Sequence, residues 1–155
     1  MEFELSAAQE AFRDSVRAFA QKVIEPEARE VDEKSLFPRE SFRKMGREGY
    51  LGLTVPAEYG GRGLGAKEYG ILCEEIAGAS AAYIHNGHYQ TQKMLLHYGT
   101  EEQRREFLPR LASGEWLAAT AISEREVGSS FSGMASTARK EEGGLRSERR
   151  KGAHQ

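Results

Sequence analysis

The sequence predicts a mainly α fold, a helical bundle followed by an incomplete β segment. Three observations carry that reading. Upstream of Leu117, apolar residues recur three and four positions apart, the period of amphipathic helices. From Leu117 to Ile122 the texture changes to a short apolar run of strand length, followed by a polar loop. Beyond Arg139 the chain is nearly all charge and glycine, and Leu145 is the only large apolar side chain between Lys140 and Gln155. Such a tail buries too little to order itself. The organisation is therefore a helical domain over 1–115, the start of a β unit over 116–140, and a tail over 141–155 expected to be disordered.

Ser6 followed by Gln9 is a capping-box pattern that opens the first helix. Phe12, Val16, Phe19, Ala20, Val23 and Ile24 then share one face. Pro26 either interrupts that helix or starts the next at its first turn, and Glu27 to Lys34 read as too polar for a core. Phe37-Pro38 makes a turn. Phe42 and Met45, with Leu51, mark a third helix from about Glu40, ended by Gly46 or Gly49. From Ala66 a helix carries Tyr69, Leu72, Cys73 and Ile76 inward and stops near Gly78. Ala79 to Tyr98 is a second long helical pattern with Ile84, Met94 and Leu95 as core. Its internal Gly87 calls for a kink or a close packing contact. Thr100 with Gln103 caps a last helix, whose apolar face is Phe107, Leu108 and Leu111. Pro109 should bend it and Gly114 end it. Met134 to Ala138 is a candidate second strand, and two short strands alone make no stable sheet.

The totals exclude several classes. With 39% hydrophobic and 30% charged residues the composition is globular. A formal net charge of −2 argues against nucleic-acid binding, which shows a basic excess. No run approaches the roughly 18 apolar residues of a membrane span, and the N-terminus lacks a signal-peptide core. The single cysteine, Cys73, lies in an apolar helical pattern and reads as a buried inert thiol in a reducing compartment. The expectation is a soluble, cytoplasmic protein without a metal.

Two loops invite chemistry. Gly52 to Gly65 is glycine-rich but lacks the strand-before, helix-after setting of a dinucleotide fingerprint and the Gly-Lys-Ser/Thr ending of a phosphate loop. It reads as a fixed surface connection with positive φ angles. Thr120 to Ser130 follows the apolar run, with a hydroxyl at Ser123 and a Gly-Ser-Ser step at Gly128. Such a loop can present backbone N–H groups and hydroxyls to one polar, anionic or easily reduced ligand.

Taken together, the residues resemble the acyl-CoA dehydrogenase family. The matching pieces run in order: Phe3-Glu-Leu-Ser6, Ala18-Phe-Ala20, Leu51-Gly-Leu-Thr-Val-Pro-Ala-Glu-Tyr-Gly-Gly61, Glu74-Glu-Ile-Ala77 and His85-Asn86. Tyr98-Gly-Thr-Glu-Glu-Gln103, Phe107-Leu-Pro-Arg-Leu-Ala-Ser-Gly-Glu115 and Ser123-Glu124 with Gly128-Ser129 complete the series. The resemblance implies an all-α N-terminal domain, a middle β domain and a C-terminal helical bundle. It also implies FAD as cofactor, an acyl-CoA thioester as substrate, and an electron-transferring flavoprotein as the partner that receives the electrons. A homo-oligomer is the family's habit and is not expected of this fragment.

The family's flavin loop, Thr-Glu-Pro-x-x-Gly-Ser-Asp, maps onto Ser123 to Ser130. On that mapping Thr120, Ile122, Ser123, Gly128 and Ser129 border the flavin, with Ser129 also at the thioester end of the substrate. His85 and Asn86 map to a helix break that borders the acyl chain. Glycine lets backbone come close, and small hydroxyls near flavin N1 and O2 favour reduction. Arg125 stands where the family has proline and Ser130 where it has aspartate. The second flavin motif, Trp-Ile-Thr-Asn, has no counterpart after Gly143, and the tail from Ser147 resembles a reading-frame change. No catalytic residue is assigned, because the family's glutamate base belongs to the C-terminal domain. The reading is thus a truncated acyl-CoA dehydrogenase, inactive alone. The alternatives are a helical interaction module with a vestigial flavin loop, or a sister enzyme such as an acyl-CoA oxidase.

Overall fold

The computed structural model describes residues 4–124, 127–128, 131–142 and 144–148. The chain divides into two compact units, Met1–Thr120 and Ala121–Gln155.

The first unit is helical. Helix α1, Ala7–Phe19, starts with the predicted capping box: Ser6 Oγ accepts the Gln9 N–H at 3.3 Å, and Gln9 Oε1 accepts the Ser6 N–H at 3.1 Å. It runs into a π turn, Ala20–Ile24, closed by the Glu25 N–H donating to Ala20 O, and then into α2, Glu25–Glu33. Pro26 sits in the first turn of α2, where its missing N–H leaves no helical bond unmade. Val31 is buried within the stretch that reads as too polar for a core, and Glu27 accepts the Tyr83 hydroxyl at 2.6 Å and also that of Ser41. Polarity hid both roles, because a single inward side chain is enough to seat a short helix on a core.

Helix α3, Arg39–Arg47, buries Phe42 and Met45, and Leu51 is buried just past its end. The glycine-rich loop is no surface connection. Leu53, Val55 and Tyr59 are buried, and the loop folds back on itself through Gly63 N–H to Val55 O (2.8 Å) and Leu64 N–H to Leu53 O (2.9 Å). Gly60 and Gly63 do adopt positive φ, at 79° and 63°.

Helix α4, Ala66–Ala79, packs along α1. Arg17 makes a two-point ion pair with Glu75 (2.8 and 2.7 Å), and Gln9 donates to Glu68 (2.8 Å). Ser80 is extended and ends α4, a short 3-10 turn covers Ala81–Tyr83, and α5 runs from Asn86 to Tyr98. The continuous helix expected from Ala79 is therefore broken. The break lets the Tyr83 ring enter the core, stacked 6.0 Å from Phe42. Ile84 and Met94, expected inside, are 42% and 59% exposed; His88 and Gln92 are buried on α5 instead, with Leu95 half-buried. Helix α6, Glu101–Ser113, carries the predicted Thr100–Gln103 capping box and ends on Gly114 at φ 75°. It lies close against α3, since a Cβ on Gly46 would stand 2.1 Å from Ser113 O. Cys73 is free and half-buried. Among the described residues no helix is long and apolar enough to cross a membrane.

Leu117–Ile122 forms no strand. An apolar stretch becomes one only with a neighbour whose backbone can pair with it. Here the Ala118 N–H donates to a histidine instead. In the second unit, Glu124 and Val127 exchange backbone hydrogen bonds (2.9 and 3.2 Å), and the Glu124 carboxylate accepts the Ala135 and Ser136 N–H groups at 2.8 and 3.0 Å. Strands β1, Thr137–Glu141, and β2, Gly144–Glu148, pair antiparallel, with Thr137 opposite Glu148. The predicted strand at Met134–Ala138 overlaps only the start of β1. Strand β2 lies where disorder is expected, because backbone pairing in a hairpin proceeds without apolar burial; β1 is exposed along its length.

Candidate functional site

Two pieces of the helical unit converge: the first turn of α5 with the preceding His85, and the segment Leu117–Thr120. Gly87 permits the approach. A Cβ there would lie 3.2 Å from Thr120 N and 3.4 Å from both Ala119 Cα and Thr120 Oγ1. The glycine thus answers to close packing at the start of a helix, and no mid-helix kink is involved. His88 ties the pieces together. It is 2% exposed; its Nδ1 accepts the Ala118 N–H at 3.2 Å, so its Nε2–H donates to Leu111 O at 3.0 Å. Gln92, one turn on, stands 2.9 Å from His88 Nε2 and donates to Leu51 O at 2.9 Å.

Between these pieces and the start of α3 opens a hollow of about 510 Å³. Phe37, Phe42, Ala82, Ile84, Leu117 and Ala119 make its apolar wall; Arg39, His85, His88 and Thr120 are its polar members. None of the residues lining it carries a carboxylate. Arg39 lies over the Phe37 ring, 5.9 Å from its centroid. Burial pushes the His85 imidazole down to about 4, and burial also lowers His88. Both rings are neutral at physiological pH. The arrangement can hold a mostly apolar group and offer it a few polar contacts, with Arg39 as the charged one.

Of the residues singled out from the sequence, the fold brings His85 and Thr120 to this one hollow. Asn86 is exposed at the start of α5 and does not line it. Ile122, Ser123 and Gly128 belong to the second unit, where Ser123 and Gly128 are exposed and Ile122 is half-buried. Ser129 lies outside the described residues. Sequence reasoning missed His88, Gln92 and Arg39. The first two sit four apart on one helix face, a spacing that carries a side-chain pair, but their polarity pointed outward.

Residues 6–115 match the family model described as the acyl-CoA dehydrogenase N-terminal domain. Among curated relatives, isovaleryl-CoA dehydrogenase of Solanum tuberosum is 40% identical over 141 residues, which is 88% of this chain and 34% of that protein. Acryloyl-CoA reductase (NADH) of Anaerotignum propionicum is 36% identical over 140 residues, 89% of this chain and 36% of that protein. Among solved structures, a glutaryl-coenzyme A dehydrogenase in complex with glutaryl-CoA superposes with a TM-score of 0.84 at 36% identity, covering 89% of this chain and 36% of that one. The chain thus spans about a third of the length of the relatives it matches. On the family match and a shared helical fold, it belongs to the acyl-CoA dehydrogenase family.

Proposed function

We propose that this chain supplies the N-terminal helical layer of an FAD-dependent acyl-CoA dehydrogenase, which removes hydrogen from the α and β carbons of an acyl-CoA thioester. The observation that carries the reading is the meeting of His85 and Thr120 at one mostly apolar hollow. The apolar wall of the hollow would take up an acyl group, and His88 holds the Ala118 backbone beside it in place. Two features of the second unit support a flavin there. Ser123 is exposed, and among the described residues a Cβ on Gly128 would meet nothing within 4 Å, which is the room a planar ring needs against backbone. On the family mapping Thr120, Ile122, Ser123, Gly128 and Ser129 would border that ring, and His85 and Asn86 the acyl chain. Bound FAD supplies the hydride acceptor, and an electron-transferring flavoprotein is the onward partner. None of these residues is the family's base.

The test is a transplant. The 155 residues alone are expected to purify colourless and to turn over no acyl-CoA. Residues 6–115 put in place of the matching part of the Solanum tuberosum enzyme should give a yellow protein that reduces an electron acceptor with an acyl-CoA. A folded but colourless, inactive chimera would overturn the reading and favour a helical interaction module.

A further inference from the structure

His85 is held with one ring nitrogen committed and the other bare. Its Nδ1 lies 3.4 Å from Tyr83 O. A carbonyl oxygen only accepts, so Nδ1 carries the proton and Nε2 presents a lone pair. Nε2 has no hydrogen-bond partner among the described residues, although the side chain is 7% exposed and lines the hollow. Next to it, the Asn86, Gly87 and His88 N–H groups open α5 with no backbone acceptor and no side-chain cap among the described residues. A bare acceptor beside orphaned donors suits a group that both gives and takes a hydrogen bond. A hydroxyl does so. A carboxylate has no proton to give that lone pair, and a plain hydrocarbon would leave the nitrogen desolvated and unpaired.

We propose that His85 is a specificity-determining residue that selects an acyl group bearing a hydroxyl beyond its β carbon, by accepting that hydroxyl's hydrogen bond at Nε2. The inference rests on the acyl-CoA reading of the hollow, and the position follows from it, since the α and β carbons must stay free to lose hydrogen. Burial keeps the ring neutral and the lone pair available.

The test uses the full chain and three N-acetylcysteamine thioesters: pentanoyl, ω-hydroxypentanoyl and glutaryl. Binding is read by saturation-transfer NMR, and the His85 ring by its nitrogen resonances. The hydroxylated probe should bind about three- to tenfold more tightly than the pentanoyl one, the range of a net hydrogen bond. It alone should shift the Nε2 resonance, and His85→Phe should erase the preference. Equal affinity for the pentanoyl and hydroxylated probes overturns the inference and leaves the acyl reading standing, as does tightest binding of the glutaryl probe. Binding of none of the three overturns both. The comparison within the unsubstituted chain stands even if the variant does not fold.

Discussion

His88 accepts the Ala118 N–H at 3.2 Å through Nδ1, and that one contact fixes both the tautomer of a buried ring and the path of the backbone that walls the hollow. His88→Ala would leave the Ala118 N–H without its partner and Leu111 O with only the Gly114 N–H, and should destabilise the helical unit by about 1–3 kcal/mol in urea melts. Hydrogen exchange at the Ala118 amide should speed up. Pairing the change with Gln92→Leu should be non-additive by at least about 0.5 kcal/mol, because both side chains share one buried network.

Stability should depend on pH through the two histidines. Their folded pKa values lie below the ordinary value, His85 at about 4, so the unfolded chain binds more protons in mild acid. The stabilisation is whole above roughly pH 6.5, the unfolded value, and drains away as the pH falls toward 4. His85 alone accounts for up to about 3 kcal/mol of that loss, an order-of-magnitude figure from one unit per 1.36 kcal/mol. Denaturant midpoints measured across that window should fall in the native chain and fall less in His85→Phe. A flat profile would contradict neutral burial of these rings.

Two glycine substitutions should act in opposite directions. Gly46→Ala would drive a Cβ to within 2.1 Å of Ser113 O, a contact with backbone that only a parting of α3 and α6 relieves. A loss of about 3 kcal/mol or failure to fold is expected. Gly70→Ala, on the exposed face of α4 with nothing within 4 Å of the new atom, should stabilise by about 0.5–1 kcal/mol through helix propensity. Thermal melts of the two variants side by side decide the matter.

Tyr83→Phe should lower stability by about 1.5–3 kcal/mol, the range for a hydrogen bond to a charged group. The lost bond is the 2.6 Å donation to Glu27, and the ring itself is fully buried, so the change removes polarity without shape. Burial and that carboxylate both raise the Tyr83 pKa, and alkaline difference spectra should find this tyrosine the reluctant one to ionise.

Much of the helical layer was legible because its boundaries are written in short-range chemistry. The Ser6–Gln9 and Thr100–Gln103 boxes and the left-handed Gly114 act within one turn, and each lies where the pattern placed it. The break after Ser80 was not legible. The apolar spacing from Ala79 to Tyr98 reads straight through it, and what stops the helix there is the long-range demand of Tyr83 for the core and for Glu27. The buried Leu53 and Val55 escaped for a related reason: glycine-rich sequence reads as surface until the chain folds back on itself. At the site, neither periodicity nor spacing could join His85 to Thr120; the family likeness suggested both, and the fold put them at one hollow. Arg39 carried no local signal, and His88 only its four-residue spacing to Gln92.

The π turn at Ala20–Ile24 has a bearing on how relatives should be aligned. It holds one residue more than a regular turn, and so takes up that residue without rotating what lies downstream. A single-residue deletion at the exposed Gln21 or Lys22 would let the backbone relax into an ordinary helix. It would leave Glu27 and Val31 facing Tyr83 and the interior to within about 10°, because five residues of a π turn rotate the chain about as far as four of a regular one. In this stretch one residue more or less is absorbed by the turn, and gap placement there decides which side chains count as equivalent.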